Sequence, residues 1–392
     1  ELAQKEANPE RKAELEKIAE TCEWVPAKPA RTFYEAVQSF WFTHLACLLE
    51  RNGSGYSPGR FSQYMYPFYQ KDKDESRITE EEALELLELL FIKFTETGAQ
   101  FESATRFQQA MGSKFQNIVI GGVTPDGNDA TNDIDYLLLE AQKRVRMIQP
   151  TLSLLYHDKM SQKFLLKAVE VVKTGIGMPA FFNSDLNVQS LAAHGASLED
   201  ARNHCIVGCV ERGFSHCSNS LWGGPINMAK FLELALNNGK DPLTGKQLGP
   251  QTGEAETFRS YAEFHDAVKK QFQYFCTPFL EFQFTSNAIE AEVWPLPFAS
   301  ALVDDCIKRG KDMGTGGAKY SMDGCSAVGT IDLANSLAAI KKLVFADRKI
   351  TMPELLRALH ANFDGYDGLR TMLLKAPKYG NDDDYVDEIA RE

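Results

Sequence analysis

The sequence has no basic surplus: 42 Lys and Arg stand against 54 Asp and Glu, for a formal net charge of −12. Binding to a phosphate backbone draws on a basic face, and no Lys/Arg run supplies one, so nucleic acid is excluded as an expected partner. The acidity serves solubility. No uninterrupted apolar stretch has the length needed to cross a bilayer, so no membrane is expected. The opening residues ELAQKEANPERKAEL lack the basic-then-apolar layout of a signal peptide, and there is no initiator Met, so the start of the natural protein is expected to be missing. The eight cysteines (Cys22, Cys47, Cys205, Cys209, Cys217, Cys276, Cys306, Cys325) are scattered rather than paired in a framework. They read as the reduced thiols of a cytoplasmic protein.

Missing motifs narrow the chemistry further. Cys205-x3-Cys209 is wider than a usual zinc pair and has no second pair, so no metal is expected. Met313-Gly314-Thr315-Gly316-Gly317 does not complete GxGxxG, and no P-loop is present, so no bound nucleotide cofactor is expected. These glycines read instead as a turn entering the interior. A cysteine hydrolase would pair Cys209 with His204 or His216. Such partners usually come from distant segments, and His204 reads better as a buried histidine satisfied by backbone.

What is present is a long chain, 44% hydrophobic over 392 residues, able to bury a large core. Residues 31–50 read as a helix buried on most sides. Thr79 with Glu82, and Thr351 with Glu354, have the spacing of capping boxes. Between them helices and short apolar strands alternate. Strands are expected at 116–122, 151–157 and 179–182, with helices from a Thr131 cap to about Arg146, near 160–174, and from Ser197. Cys205–Gly208 reads as a strand end. This alternation predicts an α/β fold with a parallel sheet covered by helices, in one large unit spanning 1–392.

Gly208-Cys209-Val210-Glu211 places a thiol two residues from a carboxylate. In an extended tip both side chains face one way. The pair makes a poor nucleophile, because the carboxylate disfavours a thiolate. It suits hydrogen-atom abstraction by a sulfur radical, with the carboxylate as general base toward an adjacent hydroxyl. On the two-residue spacing alone, a buried Cys beside a solvated Glu is the stronger reading.

Longer phrases carry a resemblance. They are Pro29-Ala30-Arg31-Thr32-Phe33-Tyr34-Glu35, Ser57-Pro58-Gly59-Arg60-Phe61, Asn117-Ile118-Val119-Ile120-Gly121-Gly122, Gln149-Pro150-Thr151-Leu152-Ser153, Gly175-Ile176-Gly177-Met178-Pro179, Pro295-Leu296-Pro297-Phe298 and Gly316-Gly317-Ala318-Lys319-Tyr320. Together with Gly208–Glu211 they make the chain resemble the glycyl radical enzyme (pyruvate formate-lyase-like) family over nearly its whole length. The resemblance implies part of a ten-stranded α/β barrel surrounded by helices, with Cys209 as thiyl site and Glu211 as base. Pyruvate formate-lyase itself resembles a form with two adjacent cysteines, whereas Gly208 precedes Cys209 here. The Cys-x-Glu form resembles the eliminating branch, which expels water, amine or sulfite beside a hydroxyl. Arylacetate decarboxylases share it and are the alternative enzyme class.

Departures from that branch concern the substrate. Arg212-Gly213 follows where Glu-Pro is usual, and Ser220-Leu221-Trp222 occupies the stretch expected to face substrate. Phe115 matches a position that packs against substrate, and Lys114 is weighed as a contact for an anionic substrate against an ordinary solvated lysine. The resemblance also implies a glycyl radical outside this chain, installed by a radical S-adenosylmethionine activase, and a homodimer. No segment like Arg-Val-x-Gly-Tyr occurs, so the glycyl radical domain is expected to be absent and the chain alone inactive. A noncatalytic remnant or split-enzyme subunit is the reading of a different class.

Overall fold

The computed structural model describes residues 1–50, 55–97, 114–219, 222–322 and 324–392. They form two compact units, Glu1–Leu221 with Ala291–Met322, and Trp222–Glu290 with Asp323–Glu392. The chain is α/β, and no described helix is long and apolar enough to cross a membrane.

In the first unit the strands β1 (Asn117–Gly121), β2 (Thr151–Tyr156) and β3 (Ala180–Asn183) run parallel in that order. Ile118 lies opposite Leu152 and Leu154 opposite Phe181. Every residue of β1 is buried, the pattern of a parallel strand covered on both faces. The covering helices include Phe33–Glu50, Phe61–Asp74, Glu80–Glu96, Asp133–Val145 and Gln162–Val171. Their inner faces and the sheet share one core, in which Phe33, Phe61, Phe91, Phe94 and Phe164 are fully buried.

Local chemistry sets the helix starts. The Thr79–Glu82 and Thr351–Glu354 capping boxes both form. Ser197 caps Leu198–Arg202 and accepts from the Asp200 amide at 3.1 Å. The cap before 133 is Asn132 rather than Thr131, because Asp135, three residues on, returns a carboxylate to the Asn132 amide at 3.0 Å. Thr131 instead bonds Asp129.

Asp135 is fully buried, and burial pushes its carboxyl up to about 7, against hydrogen bonds from Ser62 and Asn132 and the charge of Arg60. An unfolded aspartate titrates near about 3.9. The fold therefore keeps a proton that the unfolded chain gives up, and stability falls as pH rises from about 4 through about 7. The thermal midpoint of the wild type is expected to fall more steeply across that window than that of Asp135→Asn. Parallel slopes would sink this assignment.

β4 (His204–Val207) and β5 (Glu211–Phe214) form an antiparallel hairpin, which helix–strand alternation does not foretell. β6 (Ser218–Asn219) pairs in parallel with Tyr320–Ser321. The second unit contains the parallel pair Trp222–Asn227 and Gly324–Val328. Its core collects Phe231, Phe264, Leu337, Leu343 and Val386 from the surrounding helices.

Candidate active site

The hairpin root is fixed by apolar packing. Cys205 and Ile206 of β4 are buried against Val119 of β1 and Leu155 of β2. Cys205 pairs with Gly213 across the hairpin, and a Cβ at 213 would lie 2.7 Å from a Val207 methyl, so the strands close tightly there. His204 is buried and shares its Nδ1 with the Ala201 carbonyl at 2.8 Å. Burial lowers its pKa to about 4, so it stays neutral.

Beyond Val207 the chain turns through Gly208, Cys209 and Val210 before Glu211 opens β5. Gly208 takes a φ of +62°, a conformation glycine adopts without penalty. A Cβ there would stand 2.8 Å from Glu211 Oε2. That same oxygen accepts the amides of Cys209 at 2.9 Å and Val210 at 3.0 Å. Cys209 and Glu211 are thus brought together by a turn whose amides curl over the carboxylate, not by the alternation of an extended strand. Cys209 and Val210 are exposed at the tip.

Partial desolvation, and then the negative charge of Glu211, push the Cys209 thiol up to about 11. At pH 7 only about one molecule in ten thousand would carry the thiolate. Alkylation of Cys209 by iodoacetamide, followed by peptide mass spectrometry, is expected to be slow at neutral pH. The rate should climb about tenfold per pH unit until about 11. Rapid labelling at pH 7 would instead support a thiol hydrolase.

The base of the turn meets two distant segments. Ser57 Oγ accepts the Gly208 amide at 3.0 Å and the Asn117 amide at 3.1 Å, and donates to the Gly55 carbonyl at 3.0 Å. Asn117 Nδ2 donates to the Gly208 carbonyl at 3.1 Å. The Gly55 amide donates to the Lys114 carbonyl at 2.7 Å, and the Phe115 carbonyl lies 3.4 Å from Ser57 Oγ. Residues 55–57, 114–117 and 208 therefore form one hydrogen-bonded junction beneath Cys209.

Residues 1–392 match the pyruvate formate lyase-like family. The chain belongs to that family. Its fold superposes with a TM-score of 0.91 on hydroxyproline dehydratase from Clostridioides difficile, solved with trans-4-hydroxy-L-proline bound, at 40% identity over 99% of this chain and 50% of that one. The B12-independent glycerol dehydratase from Clostridium butyricum gives 0.89 at 39% identity, over 100% of this chain and 49% of that one. An isethionate sulfite-lyase from Oleidesulfovibrio alaskensis is 40% identical, across 100% of this chain and 48% of its own length. The chain spans about half the length of the relatives it matches.

Within this pyruvate formate lyase-like chain, the structure places the remaining expected residues unevenly. Phe115 and Lys114 enter the junction through their carbonyls, and Phe115 holds a left-handed φ of +50°, uncommon for a side-chain-bearing residue. Lys114 is buried rather than solvated, and burial lowers its pKa. Ser220 and Leu221 lie outside the described residues, and Trp222 begins a strand of the second unit. Arg212 is tied to Ser190 Oγ at 2.7 Å. Ser57 and Asn117 were visible in the sequence only as members of family phrases, with nothing to single them out.

Proposed function

We propose that this chain is the thiyl-bearing core of a glycyl radical lyase or dehydratase acting on a small hydroxylated substrate. The observation that carries this reading is the turn itself, which holds the Glu211 carboxylate on the backbone amide of Cys209, whose thiol stays protonated at neutral pH, at an exposed tip. The similarity to dehydratases and a sulfite-lyase supports it. A radical held on a backbone glycine outside residues 1–392, installed by a radical S-adenosylmethionine activase, supplies the oxidising equivalent that makes Cys209 a thiyl.

The residues of this chain then do the following. Cys209 Sγ takes a hydrogen atom from the substrate carbon bearing the hydroxyl, leaving a carbon radical and a thiol. Glu211 accepts the hydroxyl proton, which drives electron density toward the neighbouring carbon. The bond to the leaving group breaks there with its electron pair going to the departing group: amine or sulfite leaves directly, and a departing hydroxide takes up the proton that Glu211 accepted and leaves as water. The product radical recovers a hydrogen atom from Cys209, and the carbonyl product is released. Lys114, Phe115, Ser220, Leu221 and Trp222 are the proposed substrate-contacting residues.

The fold reading goes with this. Residues 1–392 would form an incomplete ten-stranded barrel domain of two parallel half-sheets, and the parallel order β1–β2–β3 supports this. The working protein would be a cytoplasmic homodimer, and this chain without the glycyl radical domain would not turn over. Product analysis of the complete, activated protein tests the assignment. A carbonyl product with a stoichiometric leaving group is expected, whereas carbon dioxide would place it with the arylacetate decarboxylases.

A further inference from the structure

We propose that Ser57 and Asn117 are positioning residues that hold the reactive turn where Cys209 can reach substrate. The proposal rests on the reading of Cys209 as the hydrogen-abstracting thiol and assigns these two residues a role in the same step. Gly208 immediately precedes that thiol, and both polar groups of its backbone are engaged, the amide by Ser57 and the carbonyl by Asn117. The next two amides, of Cys209 and Val210, are engaged by Glu211. Three consecutive amides of an exposed turn are thus fixed, although such tips ordinarily leave their amides to water.

The clamp is saturated at its centre. A hydroxyl offers one donor and two acceptor sites, and Ser57 Oγ takes two amides while donating to Gly55. Alanine would release all of these at once. The Asn117 amide is buried, and its Oδ1 has no hydrogen-bond partner among the described residues. Burying an unmet oxygen is unfavourable, so packing alone would be better served by an apolar side chain. What the asparagine supplies, and leucine cannot, is the Nδ2 donor to the Gly208 carbonyl. The clamp is anchored on β1, whose residues are buried throughout, so the tip inherits the rigidity of the sheet.

Positional error of about 1 Å at a reacting group costs on the order of 100-fold in rate. In the complete, activated protein, Ser57→Ala and Asn117→Leu are each expected to lower kcat by about 100-fold with KM unchanged and the glycyl radical spin count intact. Ser57→Thr, which keeps the hydroxyl, should restore most of kcat. In the unactivated protein, amide hydrogen exchange at Gly208–Val210 should quicken by about five- to tenfold in the Ala and Leu variants, with Ile118–Ile120 unaffected.

Unchanged exchange at the turn overturns the clamp, whatever the activity does. Faster exchange with kcat within about twofold of wild type overturns its catalytic importance. Retention of activity in Cys209→Ala would instead reject the radical reading. The two failures are therefore distinguishable.

Discussion

Replacing Cys209 by Ala in the complete, activated protein is expected to abolish product formation while leaving the fold and the glycyl radical signal in place. The side chain is exposed at a turn tip, so its removal opens no cavity, and stability should stay within about 0.5 kcal/mol of wild type. Neighbouring thiols cannot substitute. Cys205 is buried in the hairpin root, and Cys217 is buried as well. The checks are product yield, electron paramagnetic resonance of the radical and a thermal midpoint. A remnant or purely structural subunit predicts no change in any of them. Loss of the radical signal along with activity would point to an assembly defect rather than to chemistry at sulfur.

Glu211→Gln is expected to lower kcat by about 10²- to 10⁴-fold, the usual contribution of a positioned general base. Glutamine keeps an oxygen that can accept the Cys209 and Val210 amides, so the turn should retain its shape. What disappears is the capacity to take a proton. The negative charge that helps hold the thiol at about 11 also goes, so the thiol pKa should fall and alkylation below pH 11 should quicken. A variant that turns over like wild type, with the alkylation profile shifted as described, would leave Glu211 a structural role only.

Much of the frame was legible because it rests on short-range rules. The run 116–122 reads as a covered parallel strand from its apolar residues, and the strand forms over Asn117–Gly121; both Thr–Glu capping boxes follow from spacing. The displaced cap at Asn132 was also within reach. Counting three residues onward leads from Asn132 to an aspartate, whereas from Thr131 it leads to Ile134. The proximity of Cys209 and Glu211 was legible for a reason that does not apply, since a turn rather than strand alternation unites them.

The clamp was not legible. Ser57 and Gly208 are 151 residues apart, and Asn117 and Gly208 are 91 apart, distances over which composition and periodicity carry no pairing information. The burial of Lys114 is likewise tertiary, since a lone lysine in a sequence reads as solvated by default.

Gly208 also bears on how such a site can change over generations. A side chain at 208 would meet Glu211 Oε2 at 2.8 Å on a backbone with φ of +62°. A cysteine at 208, as in the adjacent-cysteine form, would push that carboxylate oxygen aside and would itself sit on a left-handed backbone that side-chain-bearing residues rarely adopt. The cost of a second thiol therefore falls mainly on the shape of the turn, because a carboxylate at the end of a flexible side chain can move whereas the backbone at 208 cannot relax without loosening the turn.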